Sequence, residues 1–238
     1  MSDLDQLPGF RRRFRLTPAT NAVQAEVEDD FHCMSVIVRH NGKTATAIEP
    51  EMRRAPWTTC PGAEQRLQET FVGVNLVDFP VRGEKQTNCT HLHDLAILAA
   101  AHAFDDMAVI YDILVSDPQD KQRSAEIREN GHTLLKWREE NFCLIEPKSA
   151  AGIRLDKLRP WIENLEPELR EAAKLLQWGN ILANGRVIPL EQQSDATKLP
   201  PSCYTFQPER AVIAKRVGEV KDFSGGADEP LGAYEPSV

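Results

Sequence analysis

Three short stretches of the chain carry side chains that can bind a metal ion or transfer a proton: residues 29–33, 59–61 and 89–94. They supply thiols, imidazoles and carboxylates, a donor set that suits zinc or iron. Histidine also titrates near neutral pH, so the same stretches can supply a general acid or base. The expected metal ligands are Asp30, Cys60, Cys89 and His93, and the expected catalytic residues are His91, His93, Asp30 and Asp94.

Two cysteines stand where helices are predicted to begin. Pro61 directly follows Cys60, and Asn88 precedes Cys89 as a good N-cap. The unpaired N–H groups and positive dipole of a helix start favour thiolate over thiol, so both sulfurs are expected in one reactive pocket. Cysteine can also act simply as a small buried hydrophobe. That structural role is expected of the other three cysteines, Cys33, Cys143 and Cys203.

The neighbours of these cysteines extend the predicted site. Cys89 and His93 are four residues apart and share a helical face, with His91 close by, and which of the two histidines faces the site stays open. Aromatic side chains beside the donors are candidates for substrate binding, although burial in the core would explain them equally well. The expected substrate contacts are Trp57, Phe31 and His32.

The first 105 residues predict a small antiparallel sheet with two helices. Alternating residues and the Asn41-Gly42 pair indicate a β-meander over residues 11–49. Apolar residues at helical spacing predict a first helix that ends near Gly73. A second helix is expected to begin at Asn88 and to carry its apolar stripe to Ala103.

The remainder predicts a second antiparallel meander and a C-terminal helix. Strand-like residues from Met107 onwards lead to a hairpin around Asn130-Gly131, and an amphipathic helix begins at Pro167 and ends at Gly179 or continues weakly to Gly185. The fold class is therefore α+β. The expected domains are a site-carrying domain of residues 1–105, a packed meander and helix of residues 106–223, and a flexible tail of residues 224–238.

Bulk composition excludes several classes of function. The net charge of −8 argues against a nucleic-acid partner, and the run Arg11–Arg15 is interpreted as a solvated edge strand. No apolar stretch is long enough for a bilayer, and the acidic N-terminus does not fit a signal peptide, so a cytoplasmic protein without membrane contact is expected. Five scattered cysteines favour free thiols or ligands. Nucleotide-binding motifs and a serine-hydrolase elbow are missing, so no nucleotide cofactor is expected.

Residues 30–103 resemble the U-type iron–sulfur cluster scaffold proteins. In that family an aspartate opens a strand that reaches an Asn-Gly turn, a cysteine follows at a helix start, and a later cysteine begins an alanine-rich helix. Here Asp30 stands twelve residues before Gly42, and Cys60 and Cys89 open the two predicted helices. The resemblance implies that the family's main ligand positions fall on Asp30, Cys60 and Cys89.

A second resemblance covers most of the chain. Residues 29–32, 56–61 and 89–92 are similar to an uncharacterised bacterial domain family associated with the breakdown of aromatic compounds, including lignin-derived phenolics. It implies a small aromatic substrate and an enzyme, expected to be a carbon–carbon lyase that releases formaldehyde from a phenolic dimer. Such a step needs a base for the alcohol proton and an acid or Lewis acid at an oxygen. The alternative is a non-enzymatic metal or iron–sulfur carrier. A homo-oligomer is a further expectation.

Overall fold

The computed structural model describes residues 3–238 and has the α+β fold that the sequence predicts. The strands are β1 (Gly9–Ala19), β2 (Ala22–Asp29), β3 (Cys33–His40), β4 (Ala45–Arg54), β5 (Val109–Ser116), β6 (Gln122–Glu129), β7 (His132–Glu140) and β8 (Cys143–Glu146). The α-helices are α1 (Ala63–Phe71), α2 (Thr90–Ala101), α3 (Arg159–Glu163), α4 (Pro167–Leu182) and α5 (Pro208–Ala211). Short 3-10 helices lie at Asp3–Gln6, Cys60–Gly62, Leu76–Val81, Lys85–Thr87, Lys148–Ala150, Leu155–Lys157, Ala183–Arg186, Leu190–Gln193, Ala196–Lys198 and Tyr204–Phe206.

The chain divides into two compact units, and each is built from segments far apart in sequence. The unit that carries the candidate site, called the site unit below, comprises Phe14–Val109, Leu190–Lys221 and Leu231–Val238. The second unit comprises the segment that ends at Arg13, Ile110–Pro189 and Asp222–Pro230. The expected domains were linear, with divisions after residues 105 and 223. Part of the expected tail is bonded within the site unit, where the Leu231 N–H donates to Glu28 Oε2 at 2.7 Å.

The site unit orders its strands β4-β3-β2-β1, with antiparallel pairing of β2 with β3 and of β3 with β4. The Asn41-Gly42 turn connects β3 to β4 as predicted, and Gly42 adopts the positive φ of 89° that such a turn requires. Helix α1 packs on β4, whereas α2 packs on β2 and β3. The N-terminus of α2 therefore lies on the same strands whose connection carries Asp29 and His32.

Helices α1 and α2 of the site unit lie where the spacing of their apolar residues predicts, but the start of α2 differs from the prediction. Ala63, Leu67 and Phe71 are buried on one face of α1, as predicted. The N-cap of α2 is Cys89 and not Asn88. The Asn88 side chain is buried, and its amide group donates to the Thr70 hydroxyl and the Glu84 carbonyl.

The second unit orders its strands β5-β6-β7-β8, and α4 packs on β6 and β7. The predicted hairpin at Asn130-Gly131 joins β6 to β7. Helix α4 continues through Gly179 to Leu182. Gly179 is a packing requirement rather than a helix end, because a Cβ at this position would lie 2.7 Å from Ile113 Cγ2. The finer architecture expected from the sequence is not matched in detail, since eight antiparallel strands are described and β1 contributes residues to both units.

The arginines at the start of β1 are not solvated, and that interpretation was wrong. Arg11 is buried and donates to the carbonyls of Leu4 and Leu7, each at 2.7 Å. The guanidinium of Arg12 is also buried and lies 4.4 Å from the centre of the Trp178 ring. These charges are stabilised inside the second unit by carbonyl and aromatic groups. Among the described residues, no helix has both the length and the apolar character needed to cross a bilayer.

Candidate functional site

A tight turn between β2 and β3 positions the first two residues of the site. Strand β2 ends at Asp29 and β3 begins at Cys33, and the Asp29 N–H donates to the His32 carbonyl at 2.9 Å. The Asp29 side chain reinforces this turn, because its Oδ1 accepts the backbone N–H groups of Phe31 and His32, both at 2.8 Å. Aspartate is suited to such turns because its short carboxylate reaches N–H groups two and three residues ahead.

The same carboxylate orients the His32 ring. Nδ1 of His32 lies 3.0 Å from Asp29 Oδ1 and 3.3 Å from Oδ2. A carboxylate at this distance favours a proton on Nδ1, so Nε2 keeps its lone pair. The arrangement is the one by which an aspartate fixes the tautomer of a histidine that acts as a general base.

A second imidazole lies against the first. His91 belongs to the first turn of α2, and its ring stacks on that of His32 with centroids 4.0 Å apart and an angle of 29° between the planes. One ligand atom each from Asp29, His32 and His91 lies within 4.8 Å of the others. Within residues 3–238 this is the one group of three cysteine, histidine or acidic side chains spaced closely enough to share a metal ion. We call it the Asp–His–His cluster.

Solvent exposure differs between the three residues of the cluster. Asp29 is completely buried, whereas His32 and His91 keep 6% and 9% of their surface exposed. The carboxylate therefore lies at the inner end and the imidazoles at the outer end. The small exposed fraction of the cluster therefore belongs to its two histidines, and the carboxylate is shielded from solvent.

Arg54, at the end of β4, stabilises the turn through hydrogen bonds to its carbonyl groups. Its guanidinium donates to the carbonyls of Asp30 at 2.8 Å, Asp29 at 2.7 Å and His32 at 3.3 Å. The same group pairs with the buried Glu28 carboxylate at 2.9 Å. One side chain thus satisfies three carbonyls of a turn that carries two of the three cluster residues, which fixes their positions.

Several predicted site residues lie outside the cluster. His93 points away from it, since its Nε2 lies 2.7 Å from the Gly83 carbonyl and its ring contacts Phe71. Asp94 forms an ion pair with Lys85 at 2.5 Å on the protein surface. Asp30 is fully buried, and its backbone carbonyl accepts the Lys221 N–H. Of the predicted catalytic residues, the structure places His91 in the cluster, together with His32, which was expected to bind substrate.

The predicted thiols are close to each other but are not activated. Cys60 Sγ lies 3.4 Å from the Thr205 hydroxyl, and Cys89 is buried beside it. Burial raises the pKa of the Cys60 thiol, and it raises the pKa of Cys89 to about 12, with repulsion from a Cys60 thiolate as a second cause. The helix start does donate N–H groups to Cys89, but desolvation outweighs them. The expectation of stabilised thiolates was therefore wrong.

A third cysteine joins this pair from a distant part of the chain. The Tyr204 N–H donates to the Asn88 carbonyl at 2.8 Å, which brings Cys203 beside the other two thiols. A charge on Cys203 would also raise the pKa of both Cys60 and Cys89. The sequence predicts a structural role for Cys203. Its position beside the pair cannot be predicted from local sequence, because more than a hundred residues separate it from Asn88.

The two aromatic candidates differ in position. Phe31 lies beside the cluster, with its ring edge-on to His32 and centroids 6.3 Å apart. Trp57 belongs to a core cluster with Cys60, Ala196 and Ala211. Of these two aromatic residues, Phe31 is therefore the one that lies next to the imidazoles.

Comparison of the sequence with known proteins does not assign the chain to a family. No family model matches the chain, and no curated protein is significantly similar to it. The functional inference therefore rests on the residues of the site and on their geometry.

The buried thiol of Cys60 predicts slow alkylation of the native protein. Because burial raises its pKa, the reactive thiolate is scarce at neutral pH, and the reaction rate should still be rising above the ordinary pKa of a thiol. Iodoacetamide labelling followed by peptide mass spectrometry measures this rate, with the partly exposed Cys143 as the internal control. Labelling of Cys60 as fast as that of Cys143 would contradict the prediction.

Proposed function

We propose that the protein is an enzyme of aromatic-compound breakdown: a carbon–carbon lyase that releases formaldehyde from a phenolic dimer bearing a hydroxymethyl group. The observation that carries the proposal is the Asp29–His32 pair with His91 stacked on it. This arrangement supports the reaction type, since it offers one imidazole oriented as a base and a second as an acid. The substrate class comes from the resemblance to the aromatic-catabolism family.

The proposed reaction has two steps, and it needs no external oxidant or reductant. First the phenol releases its proton to solvent and the benzylic oxygen substituent leaves with a proton from His91, which gives a quinone methide. Then Nε2 of His32 takes the hydroxymethyl proton, and the bond between that carbon and its neighbour breaks. Formaldehyde leaves, and the electron pair of the broken bond forms an alkene and restores the aromatic phenolate, which takes up a proton.

Each residue of the cluster has a part in this scheme. Asp29 keeps the His32 proton on Nδ1 and stabilises the imidazolium that forms when Nε2 accepts a second proton. His91 stands 4.0 Å away, ring to ring, within reach of a different oxygen of the same small substrate. The small exposure of both imidazoles limits water at the site, which protects a quinone methide from hydration.

The alternative, a metal or iron–sulfur carrier on Cys60 and Cys89, has less support. Such a carrier needs thiolates that a partner protein can reach. Both thiols are buried, and among the described residues no third cysteine, histidine or carboxylate donor lies close enough to the pair to share an ion with it. We therefore favour the enzyme. We also propose a reducing, cytoplasmic location, since the five cysteines are free.

The proposal is tested by formaldehyde release from the purified protein. The substrates are a phenolic dimer with a hydroxymethyl group labelled with ¹³C, and a matched dimer that carries a methyl group in its place. We expect labelled formaldehyde and an alkene in equal amounts from the first dimer and no formaldehyde from the second. Formaldehyde no faster than with heat-denatured protein would overturn the proposal.

A further inference from the structure

The donor set of the Asp–His–His cluster is that of a transition-metal site. One carboxylate and two imidazoles suit Zn²⁺, Fe²⁺ and their first-row neighbours, whereas Mg²⁺ and Ca²⁺ prefer oxygen ligands alone. Three protein ligands also leave room in the coordination sphere for water or a substrate oxygen. The four ligands expected from the sequence share no residue with this set.

The spacing of the donors fits one shared ion. Two ligands of a tetrahedral zinc ion, each ~2.1 Å from the metal, stand about 3.4 Å apart. His32 Nδ1 lies 3.0 Å from Asp29 Oδ1, and the three ligand atoms lie within 4.8 Å of one another. Rotation about the side-chain torsions of the two histidines adjusts these distances toward that separation.

The surroundings hold two of the donors in position before an ion arrives. Asp29 Oδ1 is fixed by two backbone N–H groups of its own turn, and Arg54 fixes the carbonyls of that turn. His91 is held by the first turn of α2. A preorganised, buried donor set binds a metal ion without a large rearrangement of the protein.

We propose that Asp29, His32 and His91 bind a single divalent transition-metal ion such as Zn²⁺. The inference deepens the proposed function, because both use the same three side chains. An ion on His32 Nε2 takes the lone pair of the base, and an ion on Nδ1 leaves the ring proton on Nε2, so the metal-bound form and the acid–base form exclude each other. Zn²⁺ binding should accordingly suppress formaldehyde release.

The test uses the full-length protein freed of metal with a chelator and titrated with Co²⁺. We expect one equivalent to bind, with visible d–d absorption and without the thiolate-to-cobalt band that ligation by Cys60 or Cys89 would produce. Because loss of an outer-shell partner already costs about 10–100-fold in metal affinity, His32→Asn and His91→Asn should each weaken binding by at least about 100-fold. His102→Asn, which alters a comparable histidine–aspartate pair elsewhere, should bind as the wild type does.

A measurement on the unaltered protein keeps the test decisive if a variant unfolds. Zn²⁺ should shift the ¹⁵N resonances of the His32 and His91 rings and leave those of His93 unchanged. The proposal is overturned if no equivalent binds, if the thiolate band appears, or if His102→Asn loses binding equally.

The experiments distinguish failure of the proposed lyase activity from failure of the proposed metal site. Formaldehyde release without metal binding leaves the lyase standing and removes the metal site. Metal binding without any lyase activity does the reverse, and metal binding that raises the activity retains the site but replaces the metal-free acid–base scheme.

Discussion

Exchange of His32 for asparagine should lower kcat for formaldehyde release by roughly 10²–10⁴-fold, the usual contribution of a positioned general base. Asparagine cannot accept the hydroxymethyl proton at neutral pH. The backbone N–H of residue 32 still reaches Asp29 Oδ1, so the turn keeps its hydrogen bonds. The loss should therefore appear in kcat, with circular dichroism and the melting temperature close to those of the wild type.

Asp29→Asn tests the pair rather than the base alone. The amide oxygen can still accept the N–H groups of Phe31 and His32, so the fold of the turn should survive. The amide nitrogen, however, presents hydrogens to His32 Nδ1 and favours the tautomer with the proton on Nε2, which cannot act as a base. Since the two residues act as a unit, the double variant should be no slower than His32→Asn alone.

A surface pair provides the matched control. His102 Nδ1 lies 2.6 Å from Asp105 Oδ2, with the same three-residue separation as in the site but at the end of α2 on the exposed surface. His102→Asn should leave kcat unchanged. Equal losses in His102→Asn and His32→Asn would show that the effect is general to the fold and would contradict a catalytic role for the buried pair.

The sequence predicted the secondary structure of the site unit better than its site. Local signals such as the Asn41-Gly42 turn and the spacing of Ala63, Leu67 and Phe71 depend on neighbours along the chain, so the pattern is sufficient to place β3, β4 and α1. The site depends on which face of α2 packs against the turn between β2 and β3. His91 and His93 are two residues apart and hence point to nearly opposite sides of α2. Both are buried, so no apolar stripe indicates which of them faces the turn.

One feature of the site has a local sequence signature, and it selects the residue next to the predicted aspartate. Asp29 and His32 form an Asp-x-x-His turn in which the aspartate accepts the N–H groups two and three residues ahead. That signature selects Asp29, whereas the resemblance to the scaffold proteins implies Asp30. Arg54 and Cys203 carried no comparable signal, because their roles depend on contacts with residues far away in the chain.

The position of the cluster should depend on Arg54 more than on any other residue outside it. Arg54→Met removes the donors to three carbonyls and the partner of the buried Glu28 carboxylate. Removal of one partner of a buried, bonded charge pair typically costs about 3–5 kcal/mol. Lys221 and the Leu231 N–H continue to bind Glu28, so we expect a loss near the lower end, about 3 kcal/mol in the free energy of unfolding.

Arg39→Met is the matched control, because Arg39 lies in the paired strand β3 and forms an ion pair with Glu49 that is nearly half exposed. Its loss should cost less than about 1 kcal/mol. Urea unfolding compares the two variants.

A merely structural role for Arg54 would affect stability alone, so kcat is measured at a temperature where both variants are folded. Because displacement of a catalytic group by about 1 Å can cost 10²-fold, kcat should fall by at least about tenfold in Arg54→Met and remain unchanged in Arg39→Met. Arg54→Lys restores the charge but not the forked set of donors, and should recover only part of the activity. Full activity in a folded Arg54→Met protein would mean that the turn holds Asp29 and His32 without help from β4, and that the geometry of the cluster is encoded in the four residues of the turn themselves.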